Sequence, residues 1–184
     1  MFSKINILAI FSDHIDTLSN ETPNGPPEKS VFDFFIFLIV PFLVGAASVY
    51  FELPASAAVA ELSVTVLSIA SGLMFNVLVL TYGILEKGTR PDAAPALNNR
   101  RLRLLKYLYA NISFSILASL AGIPFSLGLA LWPGHSLTVG LFRFFGVSIH
   151  LLVAGTVVLG LKRWHTLMTL QFSVNEDMHQ STSK

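Results

Sequence analysis

The chain has 184 residues, of which 53% are apolar and only 12% charged; it carries a formal net charge of +1 and no cysteine. A soluble domain of this length wets its surface with about a quarter of its residues charged, so a water-soluble globule is excluded. The absence of cysteine excludes disulfides, thiolate metal sites and cysteine nucleophiles, and the small net charge singles out no partner.

Residues 1–30 come first. Ile5, Leu8, Phe11, Ile15 and Leu18 fall on one helical stripe with Asp13, Asp16 and Ser19 off it, which predicts a short cytoplasmic amphipathic helix. Such a helix either rests on the inner membrane surface or the basic loop, or docks a soluble partner through Ile5, Leu8, Phe11, Asp13 and Asp16. The first reading is preferred because interfacial helices are common. The apolar run Ile5 to Phe11 is short and is followed by Asp13, His14 and Asp16, so it does not read as a secretory signal. Pro-Asn-Gly-Pro-Pro at 23–27 predicts a linker.

A transmembrane domain is expected over 31–163. A helix crosses the hydrocarbon core in about 20 residues, and four apolar runs nearly bare of charge qualify: 31–51, 61–85, 104–131 and 137–161. They are continuously apolar, unlike the alternating strands of a membrane barrel. The expected fold class is all-α, a four-helix transmembrane bundle. Between the second and third spans lies a basic loop, 86–103, with Pro91 and Pro95 predicting irregular structure. A cytoplasmic tail, 164–184, follows the fourth span.

Orientation follows from Lys and Arg. The connection between the second and third spans carries Lys87, Arg90, Arg100, Arg101, Arg103 and Lys106, and Lys162 and Arg163 close the fourth span. The segments 52–60 and 132–136 carry no Lys or Arg. Positive segments stay inside, which predicts a bacterial inner-membrane, multi-pass protein with both ends in the cytoplasm. Tyr50, Phe51 and Trp132 then mark the outer interface, and Tyr82, Tyr107, Tyr109 and Trp164 the inner one.

Polar residues inside the spans need partners. Asn76 and Asn111 lie toward the same end, so an interhelical hydrogen bond between them is feasible, chiefly as packing glue. The competing reading is a polar ring around an oligomeric pore. Ser68 with Gly72, and Ser115 with Ser119, repeat at the four-residue spacing that lets helices approach closely. Pro41 and Pro124 predict kinks. His150, mid-span with no carboxylate at its depth, reads as a neutral histidine bonded to a neighbouring helix. A proton relay is the weaker alternative. Arg143, about 27 Å from the inner end at 1.5 Å per residue, sits at the outer interface, where Glu61 can pair with it.

No phosphate loop, zinc-protease helix, nucleophile elbow or paired intramembrane carboxylate is present, so neither an enzyme nor a cofactor or metal is expected. The two halves show no repeat of the kind transporters carry. Membrane topology already explains Arg100-Arg101-Leu102-Arg103 through anionic lipid, so direct nucleic-acid binding is not expected.

The run from Ser68 to Asn76 and the basic end Lys162-Arg163-Trp164 are similar to those of small four-span membrane proteins of bacterial phage defence. The overall plan resembles the KwaA family, the membrane subunits of the Kiwa system. That resemblance implies a homo-oligomeric inner-membrane sensor, a tetramer for instance, working with a soluble DNA-binding partner of the KwaB type. Two functions are therefore expected to compete. One is a sensor or scaffold, embedded in membrane lipids, that recruits a soluble effector through its cytoplasmic face. The other is a pore-forming effector or channel-blocking immunity protein.

Overall fold

In hydrocarbon an apolar run has no water to satisfy its peptide groups, so it closes its own hydrogen bonds as a helix. The computed structural model describes residues 7–20, 28–53, 56–86, 95–131 and 137–182. These form helices α1 (Ile7–Thr17), α2 (Val31–Tyr50), α3 (Ala57–Glu86), α4 (Pro95–Leu131) and α5 (Leu137–Thr182). Helices α2 to α5 are each long and apolar enough to cross a bilayer, with mean hydropathy of 1.9 to 2.2. The chain is a multi-pass, all-α membrane protein.

A two-residue antiparallel pairing, Ser19–Asn20 with Glu28–Lys29, turns the chain back from α1 to the start of α2. The Leu18 carbonyl extends it by accepting from the Ser30 N–H at 3.2 Å. Ser30 then caps α2, its hydroxyl accepting from the Asp33 N–H at 3.2 Å. The linker expected at 23–27 lies outside the described residues.

Pro41 is absorbed without breaking α2. Proline has no N–H to give the helix ladder, and the turn just ahead of it, Phe35–Ile39, widens to π geometry, with the Val40 N–H reaching the Phe35 carbonyl. At its other end α2 stops through two bonds, Glu52 N–H to the Val49 carbonyl and Leu53 N–H to the Ser48 carbonyl. These are the pair that defines a Schellman ending, and Glu52 occupies the left-handed position usually held by glycine, at φ 48°. Pro124 lies within α4, which continues through it to Leu131.

At the basic end one expectation is corrected and another is filled in. The segment before Leu104 is not all loop, because α4 begins at Pro95, where proline's fixed φ and missing N–H suit a first helical position. Of the basic loop, residues 87–94, with Lys87 and Arg90, lie outside the described residues. The tail expected at 164–184 is helical over its described residues, because α5 runs on to Thr182. The reason is a second small core: Leu104 and Leu105 of α4 and Leu167 of α5 are buried together, with Ile84 and Met168 against them.

The helices form a row. α3 packs on α4, α4 on α5, and α5 on α2, so α4 and α5 are the inner pair. The main core is Leu67, Phe114, Ala118 and Val153, contributed by α3, α4 and α5. Close approach needs small residues. At Gly45 of α2 a Cβ would overlap Ser148 Oγ and the Phe144 carbonyl of α5. At Gly122 of α4 it would come within 2.8 Å of both Ile149 Cγ2 and Leu67 Cδ1. Ser115 and Ser119 are buried in the same helix.

Candidate functional site: a polar knot at the basic end

Polar side chains buried in an apolar bundle collect where they can satisfy one another. Here they collect where α1 meets α4 and α5. α1 lies against α4, with Ile10 packed on the main core and His14, Thr17 and Leu18 buried. The His14 ring stacks face to face on Phe114, with centroids 3.9 Å apart. Its Nδ1 donates to Asn111 Oδ1 at 2.9 Å, which fixes the tautomer because a side-chain carbonyl oxygen only accepts.

Thr17 Oγ1 stands 2.6 Å from Asn111 Oδ1 and 2.6 Å from the His14 carbonyl. A hydroxyl has one proton, so it donates to one of these acceptors at a time. The Thr17 carbonyl accepts from the Arg163 guanidinium of α5. That guanidinium also lies over the Tyr107 ring of α4, 4.7 Å from its centroid. Four residues from three helices thus tie the N-terminal helix to the inner pair.

Burial pushes His14 down to about 4, because charging the ring would strand a cation away from water. The Asn111 hydrogen bond opposes the shift, and the Arg163 charge adds to it. The ring is neutral at pH 7, and the knot holds as uncharged hydrogen bonds anchored by one cation.

This geometry corrects several expectations. Asn111 serves α1, not Asn76, which is exposed on α3. The two asparagines point away from each other because α3 presents Leu67 to the core, leaving Ser68, Gly72 and Asn76 on its outward side. A Cβ at Gly72 would meet nothing within 4 Å, and Ser68 donates to its own helix at the Val64 carbonyl. His150 bonds its own helix, Nδ1 to the Gly146 carbonyl at 2.7 Å, and not a neighbour. Glu61 is exposed, Arg143 is half-buried, and no ion pair joins them.

The amphipathic stripe is also reassigned. α1 buries a mixed face, Ile10, His14, Thr17 and Leu18, while Leu8 is 78% and Phe11 42% exposed. Asp13 and Asp16 are exposed as well, and Ile5 lies outside the described residues. Arg100, Arg101, Arg103, Lys106, Lys162 and Arg163 all gather at this end of the bundle.

Sequence reasoning missed His14 and Thr17 as anchors. The available signal was a pair of hydrogen-bonding residues three apart, His14 and Thr17, which share one helical face. Among the described residues no group of His, Asp or Glu side chains is arranged to hold a metal ion. Comparison with known protein families, with characterised proteins and with solved structures finds no match.

Proposed function

We propose that this chain is a sensor or scaffold subunit of the bacterial inner membrane, with both ends in the cytoplasm, that recruits a soluble effector through its basic end. The observation that carries this reading is that the basic end is folded. Leu104 and Leu105 near the start of α4 pack on Leu167 of α5, and α5 extends roughly 28 Å past Arg163 at 1.5 Å per residue. The opposite end offers only the short segments 51–56 and 132–136. Arg100, Arg101, Arg103, Lys106, Lys162 and Arg163 favour a cytoplasmic placement of the folded end. By resemblance to the Kiwa system the partner is a KwaB-like DNA-binding protein and the setting phage defence.

The test is extraction of the full chain from its native host in mild detergent. A stoichiometric soluble partner is expected, released by the double variant Arg101→Glu, Lys106→Glu. A chain that always emerges alone overturns the reading, and a reporter fused after Lys184 that works only outside the cytoplasm overturns the orientation.

Homo-oligomerisation belongs to the same proposal and rests on α3. An exposed Asn76 amide within a span has no water to bond, and a second copy's Asn76 offers both donor and acceptor, a contact of about 1 kcal/mol. Bare Gly72 one turn away lets the backbones approach. Asn76→Leu should shift the protein toward monomers in cross-linking while leaving each protomer folded. The same exposed Asn76 favours a second reading, an oligomeric pore. Strong expression should then depolarise cells, and a normal membrane potential removes that reading.

A further inference from the structure

Beside the polar knot a cleft of about 350 Å³ opens between α4, α5, the β pairing and the start of α2. Its polar lining is Arg100 of α4, Lys162, Arg163 and Thr166 of α5, Ser19 of the pairing and Asp33 of α2; Leu104 and Leu159 form its floor. Among the described lining residues, three cations stand beside one carboxylate. Lys162 and Arg163 are neighbours in sequence, and the fold brings Arg100 of α4 and Asp33 of α2 to them.

The position of the cleft narrows its ligand. Lys162 lies roughly 38 Å along α5 from Leu137 at 1.5 Å per residue, close to the full 40–45 Å of a bilayer with its headgroups. The cleft therefore opens in the headgroup layer, where phosphates lie. Its chemistry matches that place: guanidinium forks and an ammonium are the usual partners of phosphate oxygens, and Ser19 and Thr166 add hydroxyls. Arg163 is held in place by the Thr17 carbonyl and the Tyr107 ring, so less of its side-chain freedom is lost on binding.

We propose that this cleft, built by Arg100, Lys162 and Arg163 at the basic end of the bundle, binds a phosphate group, supplied by an anionic lipid headgroup or by a soluble phosphate. Because Arg163 also holds Thr17, the occupied cleft adjoins the anchor of α1, and binding there stabilises the docked N-terminal helix. This does not depend on which way the protein faces or on any partner.

The experiment uses the full chain purified in mild detergent, with native mass spectrometry and thermal unfolding as readouts. Phosphatidylglycerol, phosphatidylcholine and inorganic phosphate are the probes. Wild type should retain phosphatidylglycerol about tenfold better than phosphatidylcholine. Lys162→Gln, at an exposed position where folding is not at stake, should lower that occupancy about fivefold, the worth of one cation near a charged surface. Adding Arg100→Gln should lower it further. Lys106→Gln, an exposed cation outside the cleft, should change it less than twofold.

A rise in melting temperature with inorganic phosphate, lost in Lys162→Gln, identifies a soluble phosphate as the source. The same rise with phosphatidylglycerol alone identifies the lipid. The proposal is overturned if Lys106→Gln loses as much as Lys162→Gln, which would mean diffuse attraction, or if wild type binds neither phosphatidylglycerol nor inorganic phosphate.

Discussion

The inner and outer helices of this bundle solve different problems. In the most apolar stretches of α4 and α5, 39% of residues are buried within the protomer, against 11% in α3 and 17% in α2. The outer helices are nonetheless as apolar, with mean hydropathy of 2.0 and 2.2 against 1.9 and 2.1. In water such exposure would drive collapse or association, but lipid tails are as apolar as leucine and impose no such drive. Hydropathy therefore reports only that a helix is in the membrane. Which helix is central is decided by shape and by small and polar residues, and these sit in the inner pair and its contacts: Ser115, Ser119, Gly122 and Asn111 on α4, and Ser148 on α5 facing Gly45.

The strongest way to break that contrast is to add volume where α2 or α4 approaches its neighbour. Gly45→Ala and Gly122→Leu should each destabilise the protomer by about 3 kcal/mol, since the new side chain overlaps Ser148 and Phe144 or Ile149 and Leu67. Thermal unfolding in detergent measures this, and a loss below 1 kcal/mol at both sites would mean that the inner contacts are loose.

Next in size is the polar knot. Asn111→Leu removes the shared acceptor of His14 and Thr17 and should cost about 1–3 kcal/mol. The loss should be local: hydrogen exchange ought to rise in Ile7–Thr17 and stay unchanged in α3. Uniform loosening of all helices would show that α1 is merely one part of a single cooperative core.

Acidification should act at the same place. His14 titrates near 6.5 when released and about 4 when docked, so the released state binds more protons in between. The contribution of this group to docking is thus complete above pH 6.5 and lost as pH falls toward 4, at about 1.4 kcal/mol per unit. The protection factors of α1, corrected for the intrinsic pH dependence of exchange, should fall between pH 7 and pH 5, and His14→Gln should flatten the profile.

The smallest effect belongs to the outer face. Gly72→Ala meets no neighbouring atom and should stabilise α3 slightly, by under about 1 kcal/mol, through helix propensity alone. A marked loss of protomer stability there would mean that α3 is packed on its outward side as well.

How much of this was legible beforehand differs residue by residue. The span of α2 could be placed because the bilayer demands a fixed length of apolar helix. The start of α4 at Pro95 could not, because a proline among polar residues reads equally as a loop; Leu167 of α5, packed on Leu104 and Leu105, keeps the helical pair together. Asn76 and Asn111 look alike in sequence, each a lone amide in an apolar run. Their opposite fates follow from helix rotation, which hydropathy does not encode. His14 stood out only as one of the polar residues after the short apolar run Ile5 to Phe11, and it is the most enclosed group in α1 beside Thr17.

The sequence by itself determined that this chain lives in a membrane, crosses it with four helices and gathers all its arginines but Arg143 toward one end. Those properties follow from the energy of moving each residue type between water and lipid, which is summed along the chain. The tertiary structure alone decided that α4 and α5 lie inside, that α1 is held through His14, Thr17, Asn111 and Arg163, and that Arg100 and Lys162 share a cleft. Each of these depends on which faces of distant helices meet, and in lipid that choice is made by close packing and a few hydrogen bonds.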